Sequence, residues 1–162
     1  MASEIKVDTI VNAGGDNDTG IDLATNDQIL LKVANSTKLT MNSTGQTTIV
    51  GEGGTTTTNV QQGLCKAWIR FNGESTIAIN DSFNMASITD NDTGYYTTTY
   101  TNPFNTEYTS ITISSDRDSN NHRLTQHFLD SATTQNLVYL VNKDNSNADA
   151  DKIAESVHGD LA

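Results

Sequence analysis

The sequence predicts an all-β protein in which an extended N-terminal β arm or shaft, shared between several chains, leads into an antiparallel, jelly-roll-like β-sandwich knob. Three observations carry this expectation. The apolar residues fall in short runs with a two-residue alternation, separated by clusters of Asn, Asp, Gly and Thr, the pattern of half-buried strands joined by turns. Thr and Asn together make roughly a quarter of the chain, far above average usage. Only 35% of the 162 residues are hydrophobic, and Cys65 is the one cysteine. No intrachain disulfide can supplement so thin a core, which leaves association with other chains as the favoured remedy.

Within residues 1–62 the runs IKVDTIV, GIDLA, QILLKVA, TKLTMN and QTTIVG read as strands, each too short for a helix. This segment contains no Phe, Trp or Tyr, so an independent compact core is not expected. Strands from several chains sharing one narrow interior are expected instead, as an extended docking or shaft segment. The glycine-rich stretch GEGGTTTTNVQQG, residues 51–63, marks a boundary. Residues 63–162 then form the knob. LCKAWIRF (64–71), STIAIN (75–80), FNMASIT (83–89), YYTTTYT (95–101), EYTSITIS (107–114), RLTQHFLD (123–130) and NLVYLV (136–141) read as successive strands with polar turns between them. In the terminal DADKIAESVHGDLA, Ile153, Val157 and Leu161 recur every four residues. That spacing suits a short amphipathic helix, and an edge strand less well.

Residues suited to chemistry are few. His122, His127 and His158 lack a metal-ligand spacing. Asp144 to Glu155 has the length of a calcium loop, but Ala148 and Asp149 stand where an oxygen ligand and a glycine are needed. Asp16, Asp18 and Asp22 form a similarly incomplete set. Cys65 has no partner base in its local sequence and reads as a buried, inert thiol. There is no GxSxG elbow and no Walker loop. The expectation is a protein that is not an enzyme, with no catalytic, cofactor-binding or metal residue and no cofactor. A formal net charge of -11 excludes nucleic acid and anionic membrane surfaces as partners. No secretory leader and no run of ~20 apolar residues is present, so membrane insertion is not expected and synthesis in a cytoplasm is.

The aromatic residues are the remaining candidates for contact. In KAWIRF, Ala67, Ile69 and Phe71 share one strand face while Trp68 and Arg70 share the other. Tyr96 and Tyr100 share a face with Thr98, and Tyr95 lies opposite. Trp68, Tyr95, Tyr96 and Tyr100 are therefore candidate surface or interface contacts, with sugar stacking as one use of exposed Tyr beside Thr. The competing arrangement, rings buried and hydroxyls at the rim, is the commoner one.

The segment KAWIRFNGESTIAINDSFNMASITDNDTGYYTTTYTNPF, residues 66–104, resembles a module common in virion structural and tail-fibre-like proteins of marine tailed phages, notably those infecting cyanobacteria. The counterparts are Ala67 to Phe71 with Asn72 and Gly73, the hairpin Ser82 to Thr101, and Ile5 to Asn12 near the N-terminus. Asp92 and Tyr95 depart from the glycine and aspartate common there. A closing GDL, here Gly159 to Leu161, accompanies a last strand in that family and favours a strand for the terminal segment. The resemblance implies a non-enzymatic, trimeric, β-rich virion component made in the host cytoplasm. Its expected partners are two further copies of itself, other virion structural proteins through residues 1–62, and a host surface glycan. A capsid-surface decoration protein is the alternative to a tail fibre, and a carbohydrate-binding or depolymerase module is a further one.

Overall fold

The computed structural model of the chain describes residues 6–11, 18–51, 54–116, 123–127 and 133–161. The alternating runs form antiparallel strands in two compact units, residues 1–63 and 64–162.

In the first unit, β1 (Thr9–Val11), β2 (Gly20–Asp22), β3 (Gln28–Val33), β4 (Ser36–Asn42), β5 (Thr47–Val50) and β6 (Thr57–Asn59) make one six-stranded sheet in chain order. Every neighbouring pair is antiparallel. The expected arm of strands shared between chains is here a meander whose strands pair with their own neighbours. Short turns permit it: Ala34 and Asn35, both at positive φ (50° and 55°), close β3 onto β4 in the two-residue form whose twist matches the flanking strands. Residues 51–63 are more than a boundary. They supply β6 and a single helical turn, α1 (Val60–Gly63), whose first N–H groups at Gln61 and Gln62 donate to Asn59 Oδ1 as at an N-cap.

Directly opposed residues of an antiparallel pair point to the same face. Ile10, Ile21, Leu31, Leu39 and Ile49 are opposed in succession from β1 to β5, and Ile29 opposes Met41 one step along. One face is therefore aliphatic. The other carries Asp22 and Lys32, which form an ion pair. None of the described residues of this unit is buried; Ile10 is 53% exposed and Leu31 38%.

The second unit holds eight strands: β7 (Cys65–Asn72), β8 (Ala78–Phe83), β9 (Met85–Asp92), β10 (Tyr95–Tyr100), β11 (Ser110–Ser115), β12 (Arg123–His127), β13 (Gln135–Asn142) and β14 (Ile153–His158). They form two four-stranded antiparallel sheets, ordered β11-β14-β7-β8 and β12-β13-β10-β9. Both sheets contribute to common cores, as in a β-sandwich. Ile69, Phe71 and Ile153 from the first meet Tyr96, Val138 and Leu140 from the second, with Phe71 and Tyr96 edge to face at 5.3 Å. A smaller cluster joins Ala67 and Val157 to Tyr100 and Phe104.

Two features set this unit's shape. The chain passes from β8 in one sheet to β9 in the other through a single residue, Asn84, at φ 57°. Its amide clamps the corner: Nδ2 donates to the carbonyls of Lys66 and Asn102 at 3.1 Å each, and Oδ1 accepts from the Asn102 N–H at 2.8 Å. Second, residues 153–158 are a strand and not the amphipathic helix their spacing allowed. Lying between β11 and β7, β14 is central, not an edge. Ile153, Glu155 and Val157 all point inward and are buried; a four-residue spacing is also an even one, so it fits a strand face equally well.

Candidate functional site

The four aromatic candidates do not share a surface. Tyr96 and Tyr100 are core residues, 0% and 5% exposed, which removes them as surface or sugar-stacking contacts. Their hydroxyls do not reach the rim. The Tyr96 hydroxyl lies 2.7 Å from Asp149 Oδ1 and 2.9 Å from the Gly73 carbonyl, and desolvation raises its pKa first, the adjacent carboxylate second. The Gly94 N–H donates to the same Asp149 oxygen at 2.7 Å, so Asp149 ties the β9–β10 turn to the tyrosine behind it. Tyr95 is half-buried on the opposite face of β10, its ring 5.5 Å from Tyr139 on β13.

Trp68 lies on the outer face of the other sheet, half-buried, while Ala67, Ile69 and Phe71 face inward. It lines an open groove of about 530 Å³ together with Arg70 and Asn72, the next residues on the same face of β7. Further lining comes from β8, paired with β7 in the same sheet. Its register slips where Arg70 opposes Asp81 but Phe71 opposes Ile79, leaving Asn80 as the extra residue of a bulge. Bulges re-aim side chains, and the consecutive Asn80 and Asp81 both line the groove, together with Asp151 and Lys152. Lys152 pairs with Asp151 at 3.2 Å and Asp116 at 3.6 Å. A hydrogen bond between the two carboxyls raises the pKa of Asp116 and lowers that of Asp151. Such mutual contact is closer than the ~5 Å or more that separates the acids of a glycoside hydrolase.

The acidic stretch 144–155 does not converge on a cation site. Asp144 accepts from the hydroxyl of Ser146 at 2.8 Å, which lowers its pKa. Asp149 serves Tyr96 and Gly94, and Glu155 points into the core. Asp22 is held by Lys32 and by the Ala24 N–H, while Asp16 lies outside the described residues. No group of three His, Cys, Asp or Glu side chains able to hold a metal occurs among the described residues. His122 and the side chain of His127 also lie outside them; His158 ends β14 opposite Cys65. Cys65 is half-buried, not buried, its thiol 3.1 Å from the Ala67 carbonyl.

Sequence reasoning missed Glu155. It is 2% exposed and crosses the sandwich: Thr98 Oγ1 donates to Oε2 at 2.9 Å and Asn136 Nδ2 to Oε1 at 3.0 Å. Burial pushes its pKa up to about 7, against the lowering effect of those two bonds. Its signal in the sequence is the inward alternation Ile153-Glu155-Val157, visible only once the segment is taken as a strand. The groove was half legible, since Trp68 and Arg70 share a face by alternation; Asn80 and Asp81 join them through a bulge that alternation does not encode.

Comparison with protein-family models, with curated proteins and with solved structures finds no match to this chain. No described helix is long and apolar enough to cross a membrane.

Proposed function

We propose that the chain is a non-enzymatic structural protein of a phage particle, a trimeric fibre or knob that projects from the virion and contributes to host-surface adhesion. Residues 1–62 dock and trimerise it, and the sandwich is the projecting knob. The observation that carries this reading is the aliphatic face of the N-terminal sheet. Ile10, Leu31 and Ile49 of its central row, with Ile29, Met41 and Val33 beside them, are each 38% or more exposed. A contiguous apolar patch of this kind marks an interaction site. Aliphatic side chains without rings fit a narrow interior shared by symmetry-related copies, and the single-layer sheet has one face to offer it. Eight strands split four and four also suit a jelly-roll-like knob.

Light scattering coupled to size exclusion tests the assembly: three copies of the chain are expected, and a folded, stable monomer would sink the trimer. Immunogold labelling of intact particles tests the rest. Label on the tail supports a fibre, label on the capsid supports the decoration alternative, and no label on either removes the virion reading.

A further inference from the structure

We propose that the groove beside Trp68 is a carbohydrate site that takes one or two pyranose rings of a glycan, with Trp68 as its stacking platform. The inference rests on the reading of the sandwich as a displayed knob and names the ligand class of its outer face.

A pyranose ring offers two chemistries at once. One face presents C–H groups that pack on an aromatic ring, and its rim carries hydroxyls that both donate and accept. The groove matches both. The Trp68 indole is half-buried, lines the groove, and its N–H makes no hydrogen bond among the described residues. Arg70, next on the same face, is exposed and has no ion pair among the described residues. Guanidinium and amide groups are planar and hold neighbouring hydroxyls at fixed angles. Asn80 supplies such an amide with no side-chain bond of its own among the described residues. Asn72 has its Oδ1 engaged by the Glu74 N–H, leaving Nδ2 as a donor. Asp81 accepts from the Ser82 N–H through Oδ1 at 2.9 Å, and a carboxylate has acceptor capacity beyond that one bond.

Charge discriminates against other ligands. Arg70 and Lys152 face Asp81 and Asp151 in the groove, which is thus locally neutral in a chain of net charge -11. Neither a phosphate backbone nor a strongly basic peptide is favoured by that balance. The bulge that brings Asn80 and Asp81 together is a device that natural sheets place beside functional sites. Weak affinity per site is expected, since the groove is open; several copies on one assembly compensate by avidity.

Trp68 is the only tryptophan, so intrinsic fluorescence reports on the groove without a label. The full chain is titrated with malto-, cello-, and chito-oligosaccharides and with an oligogalacturonide, each to about 10 mM, enough to saturate a site of roughly millimolar Kd. A saturable change in Trp68 emission with at least one of them is expected. Calorimetry with that saccharide then shows at least tenfold weaker binding for Trp68→Ala and for Asn80→Ala, and unchanged binding for Tyr108→Ala, which removes the 84% exposed tyrosine outside the groove. Circular dichroism verifies that each variant is folded; Asn80→Ala, at an exposed position, keeps the test alive if Trp68→Ala does not fold. No saturable change with any of the four, or binding indifferent to both groove substitutions, overturns the proposal. A virion-borne trimer that ignores all four sugars removes the groove alone. A monomer that binds through Trp68 removes the trimer and leaves the groove standing.

Discussion

Glu155 on β14 accepts a hydrogen bond from Thr98 on β10 at 2.9 Å, joining the two sheets through their interior. With Asn136 it forms a polar layer between the two apolar clusters of the knob. The Tyr100 hydroxyl and Asn136 Oδ1, both buried, make no hydrogen bond among the described residues. A layer so incompletely satisfied is costly when it also carries a charge.

That cost gives the sandwich a pH dependence. Glu155 has an ordinary pKa of 4.5, raised by burial to about 7 in the folded protein. Between those values the folded state holds a proton that the unfolded state has lost, so unfolding free energy falls as pH rises from about 4.5 to 7 and levels above it. The difference of the two values corresponds to about 3 kcal/mol at ~1.4 kcal/mol per unit. No Lys, Arg or His contributes to the Glu155 shift, and the titratable group facing it from β10 is Tyr100, whose own pKa burial raises. Urea titrations from pH 4.5 to 8 are expected to show this decline, and Glu155→Gln is expected to flatten it. An equal slope in the variant would assign the dependence to other groups.

Asn84 has two separable duties, a left-handed backbone and four hydrogen bonds across the corner. Asn84→Gly keeps the backbone and loses the bonds, at an expected cost of about 1–3 kcal/mol. Asn84→Ala loses both and is expected to cost about 1 kcal/mol more. Chemical denaturation midpoints of the pair, compared with the parent, measure the two contributions; identical midpoints for Gly and Ala would mean that the corner is unstrained.

Ala34 occupies the first position of a turn that needs positive φ at both central residues, where alanine is a poor choice. Ala34→Gly relieves that strain and is expected to raise stability by about 0.5–1 kcal/mol, net of the flexibility glycine adds to the unfolded chain. A thermal melt that drops on substitution would show the turn to be held by something other than its local conformation.

Leu31 sits mid-row on the aliphatic face, between Ile21 and Leu39. If copies cover that face, Leu31→Asp buries a carboxylate in each interface and is expected to shift the assembly to monomers at micromolar concentration, since a buried leucine alone contributes roughly 1.5–3 kcal/mol. Ser43→Asp in the β4–β5 turn of the same sheet, exposed, is expected to leave the mass unchanged.

The strands are legible because turn residues announce their ends: DNDTG before Tyr95 and NGE after Phe71 need no tertiary information to be read as breaks. What alternation cannot carry is the identity of the pairing partner. The run QILLKVA has the same pattern whether it pairs with TKLTMN of its own chain, as it does here, or with another copy. Asn84 is equally silent, since a one-residue corner leaves no gap in the apolar pattern, and strand boundaries read as 75–80 and 83–89 fall instead at Ala78–Phe83 and Met85–Asp92. The tyrosines of YYTTTY alternate as read, but which face is the core depends on Val138 and Leu140 meeting them from β13. Glu155 defeated the helix-or-strand comparison because a buried acid interrupts the hydrophobic signal on either reading.

The pairing of β7 with β14, which sets Ala67 opposite Val157, has a consequence for synthesis. Strands of the N-terminal meander meet neighbours that emerge from the ribosome moments apart, a low-contact-order arrangement that folds early. The first strand of the sandwich must wait for the last. Until Ile153 to His158 has been translated, β11 and β7 lack the strand that lies between them, and a nascent chain holds its tryptophan strand with one edge open. Messenger truncated before that point yields chains with a finished N-terminal sheet and an unfinished sandwich, so the order of strands makes the last translated strand a condition for closing the second unit.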